Sequence, residues 1–324
     1  LEGADDMILT GDLFEALQAI VLVHLAIHLE GHGMSVSIGL PDRVLAPFIE
    51  DGFDGESATE LIEAFMLKIA ANSLYGRGSL TQAITVGGRD LVVEALTEEF
   101  FDDVDVAVVD IPPPVVDHWV RYAAGRGVVV IDNSPVFRGD PEVPLVATEV
   151  NPQRAKDRPL GIIANPGATV MTMIDALATL HAGWQLEELV VTTLQAASGL
   201  GRKGIARLYD EIEVVSGDRT LGQRPGDIRR LIEHELGESV FPGPLAMNVL
   251  PMVGHLADDG WTSEEVKVRE ETRRILGLPG LRVSATCVRV PVVSSHSINV
   301  HARFANRIDV GKARVGVARC DPDG

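Results

Sequence analysis

The segment that decides the fold is residues 104–132, VDVAVVDIPPPVVDHWVRYAAGRGVVVID. It begins with a β-branched apolar run of strand length and continues through an amphipathic stretch that stops at Gly125 and Gly127. A second apolar run, VVVID, follows. A strand, a crossover helix and a strand make a βαβ unit. Such a unit forces the two strands to be parallel, so this half of the chain reads as a Rossmann-like sheet.

Outward from this unit, residues 12–30 read as a buried helix with Asp12 as N-cap and Gly31 and Gly33 as stops. Residues 34–40 read as a strand, 56–71 as a helix, and 81–86 with 91–93 as strands around the turn Gly87-Gly88. Beyond residue 162 the expected order is a helix over 170–182, a strand at 189–193 and a helix over 264–276. Strands at 283–291 and 298–304 complete an α+β pattern. The expected organisation is an extra N-terminal helix (1–33), a degenerate Rossmann-like parallel-sheet domain (34–161) and an α+β domain (162–324).

Composition narrows the function. Of 324 residues 46% are hydrophobic, enough for a sizeable core, and 28 basic against 47 acidic residues leave a net charge of −19. A phosphate backbone is repelled by such a chain, so no nucleic-acid partner is expected. No run approaches the roughly 20 apolar residues of a membrane span. The stretch LEGADD before Met7 has no signal-peptide character, so a cytoplasmic location is expected. Cys287 and Cys320 are the only cysteines, too few for a disulfide framework, and the histidines form no ligand set; no metal site is expected.

Five stretches, GIIANPGAT (161–169), TTLQAASGLGRKG (192–204), FPGPLAMNVLP (241–251), TSEEVKVREETRRILG (262–277) and LRVSATCVRVPVVSSHS (281–297), occur in order. Together they resemble aspartate-semialdehyde dehydrogenase, and the resemblance implies a dehydrogenase-type catalytic and dimerisation domain and a homodimer. The family reaction it implies is reduction of an aspartyl phosphate by NADPH through a cysteine thioester. In the family that cysteine ends the run Asn-Pro-Asn-Cys. Here the run is Asn165-Pro166-Gly167-Ala168, and a methyl group forms no thioester.

The family's glycine-rich phosphate turn has as its counterpart Gly39-Leu40-Pro41-Asp42-Arg43, with one glycine and an aspartate. Its second cofactor loop falls on Ile111-Pro112-Pro113-Pro114, three residues without an N–H. No cofactor is therefore expected. The resemblance carries over a carboxylate-binding arginine as Arg289, an acid/base histidine as His296, and substrate contacts as Gln195, Glu264, Lys267, Arg138 and Asn165. Singly, each has an ordinary structural reading, such as an exposed helix pair for Glu264 and Lys267. Jointly, an anion pocket is kept where the nucleophile is lost.

The expectation is a non-redox homologue with a small-anion pocket, repurposed for acid/base chemistry on a carboxylate or acyl substrate. The alternative is a catalytically inactive subunit, regulator or scaffold. Restoring the thiol alone should not restore the family chemistry: Ala168→Cys is expected to show no phosphate-dependent NADP reduction with aspartate semialdehyde. A substantial gain in that assay would refute the argument from the cofactor loops.

Overall fold

A computed structural model describes residues 89–318, apart from Asp103 and Pro112, together with strand segments at 27–30, 33–36, 69–71 and 83–86. The chain divides into two compact units, Leu1–Pro166 with Ala318–Gly324, and Gly167–Val317.

The first unit contains two sheets. One has the order β1-β2-β4-β5-β3, built from β1 (Ile27–Glu30), β2 (Gly33–Val36), β3 (Ile69–Ala71), β4 (Ala83–Val86) and β5 (Arg89–Ala95). Strands β4 and β5 pair antiparallel with Val86 opposite Arg89; the turn expected at Gly87-Gly88 lies outside the described residues. The helix expected over 12–30 is corrected at its end. Ile27–Glu30 is a strand paired antiparallel with β2, Leu29 lying opposite Met34, because its apolar residues also fit the period of a strand and the ladder supplies partners for their backbone groups. The helix expected over 56–71 likewise ends in a strand, β3, parallel to β5. The remainder of both expected helices lies outside the described residues.

The second sheet is the βαβ unit. β6 (Val106–Val109), α1 (Pro113–Gly125) and β7 (Val129–Asp132) follow the sequence reading, and β6 pairs with β7 in parallel. Helix α1 begins on Pro113 and Pro114, tolerated where first-turn N–H groups lack helical partners anyway. It buries Val116, Val120 and Ala123. Left-handed Gly127 follows it. Residues 162–164, assigned from sequence to the second domain, form β8 (Ile162–Ala164) and pair in parallel with β7, so they are the third strand of this second sheet.

The second unit contains α2 (Ala168–Trp184), β9 (Leu186–Gln195), α3 (Gly201–Val215), α4 (Asp227–Leu236), α5 (Ser263–Leu276), β10 (Arg282–Arg289), β11 (Ser297–Phe304) and α6 (Val310–Ala318). Its sheet has the order β10-β9-β11; β10 is parallel to β9 and β11 antiparallel to it. Alternation along β9 and β10 buries Leu189, Val191, Thr193, Val283, Ala285 and Cys287, while Val190 and Leu194 are exposed.

Helices α3, α4 and α6 are absent from the sequence reading. The buried stripe of α3 is Gly204, Leu208, Glu211 and Val215, a helical spacing in which one member has no side chain and another is charged. Apolar periodicity cannot reveal such a face. Glu211 is fully buried; its Oε1 lies 2.9 Å from Arg207 Nε, and its Oε2 accepts the N–H groups of Leu245 (2.6 Å) and Ala246 (3.0 Å). Arg207 donates in turn to the carbonyls of Leu236, Gly237 and Glu238 beyond α4. One ion pair therefore ties α3 to the end of α4 and to the 239–246 loop.

Breaking that pair removes the carboxylate partner of a part-buried guanidinium and strands two buried N–H groups. Glu211→Ala should lower unfolding free energy by about 3 kcal/mol or more. Glu233→Ala, which removes the exposed pair with Arg229, should change it by less than about 1 kcal/mol. Urea denaturation measures both, and equal effects would show that Glu211 is not the tie.

Candidate functional site

The site of the second unit follows from strand register. Gln195 and Arg289 are the last residues of parallel β9 and β10 and are register partners, so both side chains emerge together at the carboxyl ends. Both belong to the buried face, and each is about 96–97% buried. Arg289 Nη1 donates to the carbonyl of Ala196 at 2.7 Å. No carboxylate among the described residues forms a salt bridge with Arg289, and burial pushes its pKa down while Glu264 opposes the shift.

The chain then runs back along the end of β9. Val290 donates to Gln195, and Ala197 and Ser198 donate to Val292 and Val293. This zipper delivers His296, whose Nδ1 lies 3.2 Å from the backbone N of Ala196. Burial and the Arg289 charge lower the His296 pKa, with Glu264 acting against them. A depressed histidine pKa contributes stability that is present above the unfolded value and lost as pH falls through the folded one. Arg289 and His296 converge on Gly199. A Cβ there would approach Arg289 Nη1 more closely than real Cβ contacts allow and would lie 3.6 Å from His296 Cε1.

Helix α5 closes the other side. Thr262 and Glu265 form a capping box that fixes its first turn. Glu264, in that turn, accepts at Oε1 from Thr169 Oγ1 (2.9 Å) and Gln195 Nε2 (3.2 Å), while its Oε2 lies 3.4 Å from Lys267 Nζ. Thr169 is the second residue of α2, next to Ala168, whose methyl group is exposed. The N–H of Gly167 donates to Glu271 Oε2 at 2.7 Å.

The tertiary structure thus brings Gln195, Glu264, Lys267, Arg289 and His296 into one site at the N-terminus of α2. Arg138 and Asn165 belong to the first unit, where they meet at Asn133: Arg138 Nη2 donates to its carbonyl at 2.7 Å and Asn165 Nδ2 to its Oδ1 at 2.8 Å. Three participants escaped the sequence reading. Thr169 sits one residue beyond Ala168, Gly199 has no side chain to suggest a role, and Glu271 lies seven residues after Glu264, a helical spacing that could have marked it.

Cys287 cannot replace the missing thiol. It is completely buried, and desolvation pushes its pKa up to about 11. In the first unit, Asp110 follows β6, while Asp132 ends β7 and is held above the usual carboxylate range by burial. The residues 39–43 lie outside the described residues. No group of three or more His, Cys, Asp or Glu side chains among the described residues is arranged to hold a metal ion. No helix among the described residues is long and apolar enough to cross a membrane.

Comparison with known proteins gives three matching family profiles. Residues 177–320 match a semialdehyde dehydrogenase dimerisation domain and residues 61–158 a semialdehyde dehydrogenase NAD binding domain. Residues 11–100 also match a pyruvate formate lyase-like profile. Aspartate-semialdehyde dehydrogenase of Streptomyces akiyoshiensis is 48% identical over 192 residues, which cover 59% of this chain and 56% of that protein. The Corynebacterium glutamicum protein of the same name is 39% identical over 241 residues, covering 73% of this chain and 69% of that one. Among solved structures, aspartate semialdehyde dehydrogenase II from Vibrio cholerae, complexed with ASA, superposes with a TM-score of 0.69 at 31% identity. It covers 82% of this chain and 76% of its own.

Gly199 is itself exposed, but a Cβ there would force the buried Arg289 guanidinium to shift, so Gly199→Ala should cost about 1–3 kcal/mol in urea denaturation. Gly183→Ala in the last turns of α2, where an added Cβ meets nothing within 4 Å, should be neutral or stabilising. Equal behaviour of the two variants would mean that Gly199 does not govern the approach of Arg289.

Proposed function

The chain belongs to the aspartate-semialdehyde dehydrogenase family, and on that premise we propose that its second unit binds a small carboxylate-bearing anion without thioester chemistry at residue 168. One observation carries this reading. Arg289 is buried to 4% exposure, and its hydrogen-bond partner among the described residues is a neutral carbonyl. A buried guanidinium with no ion pair among the described residues is costly, and a bidentate carboxylate is the ligand its planar fork fits. Glu264 and Lys267 add an acceptor and a donor for a ligand's remaining polar groups. Ala168 supplies no nucleophile.

The family implies a nicotinamide cofactor, and the described residues at the carboxyl ends of β6 and β7 do not fit its pyrophosphate. Helix α1 begins on consecutive prolines, so its first two residues offer no N–H to a phosphate, and Asp110 and Asp132 stand at the same end of the sheet and would repel one. No step is assigned to that group. Arg138 and Asn165 remain candidate ligand contacts of the first unit.

A second reading, a homodimeric subunit, regulator or scaffold, has its own support. Val190 and Leu194 of β9 are exposed on the sheet face opposite the helices, and the dimerisation-domain profile spans this sheet. Light scattering tests it, and a monomer at micromolar concentration would sink the dimer.

The pocket reading is tested by calorimetry with succinate and inorganic phosphate. Arg289→Gln, folded by circular dichroism, should bind succinate at least about tenfold more weakly than the parent chain, a loss of at least about 1.4 kcal/mol. Equal affinity in the two proteins, or no binding by either, would leave the subunit reading.

A further inference from the structure

The N–H of Ala196 can only donate, and its acceptor is His296 Nδ1 at 3.2 Å. A ring nitrogen that accepts carries no proton, so the neutral ring bears its hydrogen on Nε2. Ser295, immediately before it, has φ of 70°. A non-glycine residue in the left-handed region is costly and persists only where its surroundings impose it. Here the surroundings are the backbone bonds that zip 292–293 onto 197–198, after which the chain must turn sharply for Nδ1 to reach Ala196. The positively charged Arg289 on β10 and the carboxylate of Glu264 on α5 are the charged groups acting on the ring, and burial with Arg289 outweighs Glu264 in favouring its neutral form.

We propose that His296 serves this pocket as a fixed hydrogen-bond donor through Nε2–H, not as a proton-accepting base, and that Ser295 is the positioning residue that sets its tautomer. The first part rests on the anion-pocket reading for the identity of the acceptor, which is a ligand oxygen beside the Arg289 fork. The tautomer itself does not depend on that reading. A fixed cation next to a neutral donor selects oxyanions with two exposed acceptor oxygens and gives no assistance to a ligand that must lose a proton to the ring.

Nitrogen-15 spectroscopy of the full chain labelled at histidine tests this, with the His296 signals assigned by their loss in His296→Gln. The neutral Nε2–H pattern is expected at pH 7, persisting to a pH below the ordinary histidine value of about 6.5. An Nδ1–H pattern or an imidazolium at pH 7 overturns the inference whatever the pocket binds. Ser295→Gly should keep the Nε2–H pattern because glycine occupies the left-handed region freely. Ser295→Val, folded by circular dichroism, should lose it, and an unchanged pattern there removes Ser295 from the assignment. Added succinate should shift Nε2 in the parent chain and not in Arg289→Gln. The expected tautomer without any succinate response overturns the anion-pocket reading, and the donor's role toward a ligand falls with it.

Discussion

Helix α5 holds the second unit together through three carboxylates. Glu264 ties Thr169 of α2 to Gln195 at the end of β9. Glu265 caps its own helix and also accepts the N–H of Cys287 at 3.2 Å, satisfying a donor on edge strand β10. Glu271 accepts the N–H of Gly167, where α2 begins. Each carboxylate takes up polar groups that would otherwise be partly or wholly desolvated without partners, at a cost of about 1–3 kcal/mol apiece. Moving α5 would therefore disturb both a strand end and a helix start, and these are the two places from which the pocket is built.

The inward-facing charges of the second unit are arranged unequally. Arg207 and Glu211 compensate one another and are further satisfied by backbone groups, which makes them structural. Arg289 is more deeply buried than Arg207 and has a carbonyl where Arg207 has a carboxylate. Folding gives no reason to leave a guanidinium in that condition, since an apolar residue of similar size would pack without the desolvation penalty. The two arginines differ in their partners: a carboxylate and three carbonyls for Arg207, and a carbonyl for Arg289 among the described residues.

The βαβ unit at 104–132 and the strands, α2 and α5 of the α+β half were legible because their apolar periods are local and unbroken. Helix α3 was not, since its inward face contains Gly204 and Glu211. Ile27–Glu30 misled for the opposite reason. An apolar run beside a helix-like stretch satisfies both periods, and pairing with Gly33–Val36 decides between them.

The sequence by itself determined which chemical groups the site can contain: a methyl group at 168, a guanidinium at 289, an imidazole at 296, and three prolines where phosphate donors would be needed. Composition and order of motifs were enough for that, because the identity of a group does not depend on its neighbours. Only tertiary structure decided what those groups do. Glu264 finds Thr169 across 95 residues and Glu271 finds Gly167 across 104, and His296 receives its tautomer from a backbone N–H 100 residues earlier. Protonation, burial and partnership are properties of a neighbourhood, and local periodicity has no information about neighbours that distant along the chain.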